Sequence, residues 1–284
     1  MNDSSDEPPL DDLHAPNDGY SLARSEREYR RLSVQGRIWE RATRAALDRV
    51  SLRYGARVLD AGCGPGDAMR LLAERVGDRG RVTGLDVDPN LVKSMLPLLS
   101  TERPEVYRFI CGDLLHLNSI KGAPFDLVFA RLLLFHVTQP LDALRRLWEW
   151  VRPGGMLLVL DYDLTGARSC PQHPTIERAL RLVNAAFRRN GRDIEIGTRM
   201  PELFVDAGIG TPDACEVNSV IIAGPTSTTM LSEVVMSLRS TILRARLADS
   251  ATLDRIDSEL TQAQFAGNFM RWPDLIATWK RKPQ

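Results

Sequence analysis

From Gly55 onward the apolar positions keep changing period. Short apolar runs recur: ARVLDAG (56–62), RVTGLDV (81–87), VYRFICG (106–112), FDLVFAR (125–131) and MLLVLDYD (156–163). Between them apolar residues return every three or four positions. The runs suit strands buried on both faces, and the intervening segments suit helices with one buried face. Predicted helices span 67 to about 76, open at Pro89, and open again at Pro140, where a missing N–H costs nothing in the first turn. This last helix places Leu141, Leu144, Leu147 and Trp148 on one face and stops at Arg152-Pro153-Gly154-Gly155. PELFVDAGI reads as a further helix, 213–221 as a weaker strand and 274–280 as a final one. The alternation predicts an α/β fold with a doubly wound, seven-stranded, mainly parallel sheet.

Three segments stand outside that alternation. The stretch 25–50 opens with a capping box at Ser25 and Glu28 and carries Leu32, Ile38, Trp39, Ala46 and Leu47 at helical spacing. A second, 174–189, carries Ile176, Leu180, Val183 and Phe187 and ends at Gly191. In the third, an apolar stripe through Met230, Val234, Leu238 and Ile242 precedes a polar break at Asp249-Ser250 and a second helix with Leu253, Ile256 and Leu260. Burial against the sheet explains these stripes better than a membrane or a partner helix, so they predict a helical cap. The expected organisation is a disordered acidic tail (1–18), N-terminal cap helices (19–54), and a core (55–284) with helical insertions at about 164–191 and 224–270.

Composition bounds the function. The 284 residues are 43% hydrophobic and 26% charged, as in ordinary globular proteins, and no apolar run is long enough to cross a membrane. The N-terminus has neither a basic start nor an apolar segment, so no secretory signal is expected and the chain reads as cytoplasmic. Six acids and no Lys or Arg within residues 1–18 leave the rest of this neutral chain at +6, too little and too scattered to argue for nucleic acid. Cys63, Cys111, Cys170 and Cys215 lie far apart and the four His lack ligand spacing, so reduced thiols and no metal are expected. The expected partner is a small molecule, with the chain a monomer or homodimer.

The chemistry gathers at VLDAGCGPGD (58–67). In open parallel sheets ligands bind beyond the carboxyl ends of the strands, where a glycine-rich turn lets backbone approach them closely. Gly62, Gly64 and Gly66, with Cys63 between them, form G-x-G-x-G rather than the dinucleotide fingerprint G-x-G-x-x-G. Asp60 stands on the strand before them, where a carboxylate would repel a pyrophosphate and attract an ammonium or sulfonium. The loop therefore favours a cationic nucleoside. Asp86, followed by Val87, ends the second strand about twenty residues on, placed to accept hydrogen bonds from ribose hydroxyls. Asp113 follows the third strand and can accept from an adenine amino group, while the Leu114 N–H can donate to the ring.

DxGCGxGD, GLDVDP, CGD and RPGG, in this order, resemble the class I S-adenosylmethionine-dependent methyltransferases, closely over 57–163 and in strand count to Trp279. The resemblance implies a Rossmann-like methyltransferase fold, S-adenosylmethionine as cofactor with S-adenosylhomocysteine as product, and Ala130 and Arg131 beside the donor. YSLARSEREYRRLSVQ is similar to the N-terminal helices of the small-molecule, natural-product branch, which makes Tyr20, Arg31 and Gln35 candidates, Gln35 for the donor's amino-acid end. The methyl group is then expected above the fourth and fifth strands, with Asp161, Asp163, His136 and Tyr20 as candidate catalytic groups. ARLL at 130–133 replaces the Pro-Pro-Tyr-type tetrapeptide of enzymes that methylate DNA bases or glutamine, and the metal-assisted catechol constellation is missing. The expected acceptor is an aromatic or indole-like small molecule methylated at carbon, nitrogen or oxygen. Two alternatives stay open: an NAD-dependent oxidoreductase, and a non-catalytic protein that binds S-adenosylmethionine.

Overall fold

The computed structural model describes residues 26–91, 103–262 and 267–284, with side chains from Glu28 onward. Ser25 and the acidic tail expected at 1–18 lie outside these residues. Pro89 to Leu91 are helical, as expected.

Among the described residues ten strands form two sheets. The larger has β1 (Arg57–Ala61), β2 (Arg81–Asp86), β3 (Tyr107–Cys111), β4 (Phe125–Arg131), β5 (Val151–Asp163), β7 (Ala214–Asn218) and β10 (Asp274–Arg281), in the order β3-β2-β1-β4-β5-β10-β7. The first five are parallel, and β10 runs antiparallel to both its neighbours. Chain order reverses between β1 and β4, so the connections diverge beyond the carboxyl end of β1 and leave a crevice there. Val58, Leu59, Leu127, Val128, Leu157 and Leu158 are fully buried at the centre of this sheet, which is the reason their strands read as continuous apolar runs.

Several boundaries differ from expectation. The stretch 25–50 is two helices, Glu26–Ile38 and Glu40–Arg49, because Trp39 leaves helical geometry (φ −93°, ψ 3°) while burying its indole. Arg152-Pro153-Gly154-Gly155 lies within β5. A Cβ on Gly155 would come within 3.0 Å of the Asp126 and Phe125 carbonyl oxygens, so only glycine lets the strand pass. The strand expected at 213–221 divides into β7 and β8 (Ile221–Ala223), which belong to different sheets.

The second sheet, β6 (Arg168–Cys170), β9 (Phe269–Arg271) and β8, has the order β6-β9-β8 and is antiparallel. It was not expected, since three-residue strands are too short to show an alternation. It corrects the picture of purely helical insertions. Around it pack the helices Pro174–Arg189, Gly224–Ser237 and Ser250–Thr261, and the helix Glu26–Ile38 also contacts Gly224–Ser237. At the predicted break Asp249 caps the last of these helices, accepting from the Thr252 N–H at 2.8 Å. Among the described residues no helix is long and apolar enough to cross a membrane.

Candidate active site

β1 runs into a loop in which Gly62, Gly64 and Gly66 all have positive φ (68°, 48° and 81°). The loop is pinned to β2: the Gly62 and Cys63 N–H groups donate to the Leu85 carbonyl at 2.8 and 3.0 Å. Gly66 occupies the cap position of the helix Asp67–Val76 and does not line the cavity beside it. Its place is the turn.

That cavity, about 380 Å³, opens beyond the carboxyl ends of β1, β2 and β4. Asp60 is 1% exposed, and its Oδ2 has no hydrogen-bond partner among the described residues. Burial raises its pKa to about 7; Arg131 opposes the rise, and Asp86 and Asp67 add to it. A buried carboxylate oxygen left open toward a cavity suits a cationic ligand that completes it. Asp86 accepts from the Gly64 N–H through Oδ2 (2.8 Å) and from the Asp88 N–H through Oδ1 (3.0 Å). Each oxygen keeps a lone pair for a ribose hydroxyl. Cys63, Val87 and Leu114 line the same cavity. Asp113 does too, but its carboxylate already accepts from the Leu115 N–H at 2.8 Å and lies 2.8 Å from His116 Nδ1, so an adenine amino group would share it.

Arg131 lines the cavity, donates to Thr43 Oγ1 at 2.9 Å, and has its pKa lowered by burial despite Asp60 and Asp67. Its neighbour Ala130 is fully buried in the sheet and does not reach the cavity, because successive strand residues point to opposite faces. Two residues here carry no local signal in the sequence. Asp88, the second acid of GLDVDP, is 3% exposed and accepts from the Tyr29 hydroxyl at 2.8 Å, and both line the cavity. The helix Glu26–Ile38 thereby closes over the donor side.

A smaller cavity, about 80 Å³, adjoins the first and shares Gln35 and His136 with it. Phe135, Tyr162, Phe187, Val234, Met270 and Trp272 supply much of its wall. Arg31 lines this cavity rather than the larger one. Its guanidinium forms a two-pronged pair with Glu28 (2.9 and 2.7 Å) and donates to Gln35 Oε1 at 2.6 Å, which spends it on holding its own helix.

Residues 58–155 match the methyltransferase domain family. That stretch is a methyltransferase domain. The chain is similar to trans-aconitate 2-methyltransferase of Rhizobium leguminosarum bv. trifolii, 34% identical over 139 residues, or 49% of this chain and 50% of that one. Demethylmenaquinone methyltransferase of Staphylococcus epidermidis is 29% identical over 127 residues, 45% of this chain and 50% of that one. The chain thus spans about half the length of these curated relatives. Phosphoethanolamine N-methyltransferase 2 of Haemonchus contortus, solved with S-adenosyl-L-methionine, shares the fold: TM-score 0.53, 19% identity, covering 86% of this chain and 53% of that one.

The candidate catalytic groups separate. Asp161 is fully buried and lines neither cavity: Oδ2 accepts from the Phe135 N–H at 3.1 Å and Oδ1 from the Tyr162 N–H at 2.9 Å. It holds the turn Leu134–His136, and burial raises its pKa to about 7. Asp163 accepts from the Thr165 N–H at 2.9 Å and from the Thr165 and Thr198 hydroxyls, again away from both cavities. Strand alternation turns both acids from the crevice and turns Tyr162, between them, into it. His136 faces both cavities, and burial, then Arg192 and Arg31, lowers its pKa to about 3, so it is neutral and weakly basic. Tyr20 lies outside the described residues.

Proposed function

We propose that this chain transfers the methyl group of S-adenosylmethionine to a small, mainly apolar acceptor. The open Asp60 carboxylate beside the glycine loop carries the reading, since it suits a sulfonium or α-ammonium group and opposes a pyrophosphate. The larger cavity holds the donor, with Asp86 and Asp88 toward the ribose, Asp113 and Leu114 toward the adenine, and Asp60, Arg131 and Gln35 toward the amino-acid end. The donor supplies an electrophilic methyl group, displaced in line as the nucleophile bonds to carbon and the electron pair of the C–S bond returns to sulfur. The chain's own part is to align and to exclude water. Orientation of this kind is worth about 7 to 11 kcal/mol, and the cavities meet at Gln35 and His136, where the two reactants would face each other.

The printed activities of the relatives cover unlike acceptors, a tricarboxylic acid and a quinone among them. Fold alone does not choose among such molecules, so the second cavity is the guide. Its aromatic wall supports an aromatic acceptor. At about 80 Å³ it is roughly half the size of a cavity, about 150 Å³, that admits benzene. It supports entry of one edge of a ring or of a side chain rather than a whole indole. Calorimetry tests the donor: saturable binding of S-adenosylmethionine or S-adenosylhomocysteine is expected, weakened in Asp86→Ala. Failure of both ligands to bind would overturn the reading.

A further inference from the structure

The smaller cavity contains hydrogen-bond donors that the protein does not use. Gln35 Nε2 donates to the Tyr162 hydroxyl oxygen at 2.8 Å and Trp39 Nε1 at 2.7 Å. A phenolic oxygen has two lone pairs, so both are taken, and its own O–H is left as the direction still to be filled. Trp272 Nε1 lies near enough to the same hydroxyl to favour its ionised form, yet falls outside hydrogen-bond geometry with it and has no other partner among the described residues. The Trp272 ring is 5% exposed and lines the cavity with Tyr162. An unmet buried N–H costs about 1 to 3 kcal/mol, a cost that an arriving ligand atom removes. Among the described residues no Asp or Glu lines this cavity, whereas Arg31 does.

We infer that the smaller cavity recognises its substrate through an ionised oxygen, the phenolate or enolate of an otherwise apolar molecule, held by the Tyr162 O–H and the Trp272 N–H. This rests on the methyltransferase reading and names the substrate class of the same site. Two convergent donors with no carboxylate opposite suit one oxygen that accepts twice. A neutral hydroxyl would bring a third hydrogen to a place already filled with hydrogens, and an amine would bring two. The proton leaves for solvent as the acid is captured in ionised form, so no side chain has to receive it during transfer. That accounts for a pocket in which Asp161 and Asp163 both point elsewhere. The pair also explains the wall around it: Trp39 and Gln35 orient the phenol by filling its acceptor side, which leaves its hydrogen for the ligand.

The test uses the whole chain and two isosteric probes, 2,6-difluorophenol and 2,6-difluoroaniline, with bound S-adenosylhomocysteine. Affinity is read by calorimetry and ionisation by fluorine NMR. The phenol is expected to bind as its anion, to show the phenolate resonance at pH values where the free phenol is protonated, and to bind about tenfold or more tighter than the aniline. Tyr162→Phe and Trp272→Phe are each expected to weaken the phenol by about tenfold and so to narrow the phenol-to-aniline ratio. An aniline that binds as well as the phenol, a bound phenol that stays protonated, or failure of both probes to bind overturns the inference. Should either variant fail to fold, the probe pair on the native chain decides. S-adenosylhomocysteine binding is measured separately: its loss defeats the methyltransferase reading, and the phenol-to-aniline ratio without it still reads the cavity.

Discussion

The side-chain amide of Gln35 donates to the hydroxyl of Tyr162 at 2.8 Å, a hydrogen bond that spans 127 positions of sequence. It fastens the helix Glu26–Ile38 to the end of β5 at the place where the two cavities meet. The same amide accepts from Arg31 at 2.6 Å. Gln35→Leu removes a donor from Tyr162 and an acceptor from Arg31, both buried, and is expected to cost about 1 to 3 kcal/mol of stability by urea unfolding. Gln35→Glu, which keeps the acceptor for Arg31, is expected to lose less.

Asp60 links donor binding to pH. Its pKa in the free protein is raised by burial to about 7, and a cationic ligand favours the ionised form. Below pH 7 the carboxyl must lose its proton on binding, so affinity for S-adenosylmethionine is expected to rise with pH through that range and then level. The rise reaches at most tenfold per pH unit for one proton. Asp60→Asn is expected to flatten this dependence in calorimetry at pH 6 and pH 8.

The same group acts oppositely on stability. An acid whose pKa is higher folded than unfolded leaves the native state binding more protons between the two values, so stability falls as pH rises between them. Asp60 and Asp161, both raised from 3.8 to about 7 by burial, should make the ligand-free chain lose stability from about pH 4 to pH 7. Asp60→Asn is expected to raise the melting temperature at pH 8 without donor. A melting temperature that does not rise contradicts the placement of a buried, uncompensated charge.

Gly62 tests the loop. Alanine there is strained by φ +68°, and its Cβ would lie 2.8 Å from Leu133 Cδ1. The left-handed backbone costs about 1 to 2 kcal/mol in a residue with a side chain, which denaturant unfolding would read. Leu133→Ala added to Gly62→Ala relieves the contact but not the backbone, so only part of the loss should return.

The buried pair Glu28–Arg31 has side chains 2% and 5% exposed. Arg31→Met removes a close cation from the buried Glu28 carboxylate and is expected to cost about 3 to 5 kcal/mol. The double variant Glu28→Gln, Arg31→Met should recover most of that, read as a coupling in a double-mutant cycle.

Asp163 lies outside both cavities and caps its own loop through Thr165 and Thr198. Asp163→Asn is expected to leave turnover within about twofold once an acceptor is in hand, because a loop cap is worth only about 1 kcal/mol. A loss of turnover without loss of melting temperature would return Asp163 to the reaction.

The loop and its acids were legible because their roles are local. Gly62 and Gly64 are read from a strand that ends in glycines, and Asp60 and Asp86 from their positions at strand ends. Asp88 stood in a quoted motif and was passed over because its partner, Tyr29, is 59 positions away. Tyr162 was hidden between two acids of more obvious chemistry. Trp272 follows a three-residue strand whose sheet has no readable period.

By itself the sequence determined the strand–helix alternation, the parallel centre of the sheet, the glycine turn and the sign of charge that lines it. Each of these follows from apolar period, from backbone freedom or from residue type within one short segment. Tertiary structure decided which side chains meet. The direction in which β5 presents Asp161, Tyr162 and Asp163 to the crevice depends on its register against β4 and β10, and a step of one residue exchanges the two faces. The lone pairs of Tyr162 are filled by helices more than a hundred positions away. What its remaining hydrogen and that of Trp272 are for is a property of the closed pocket, and no short segment carries it.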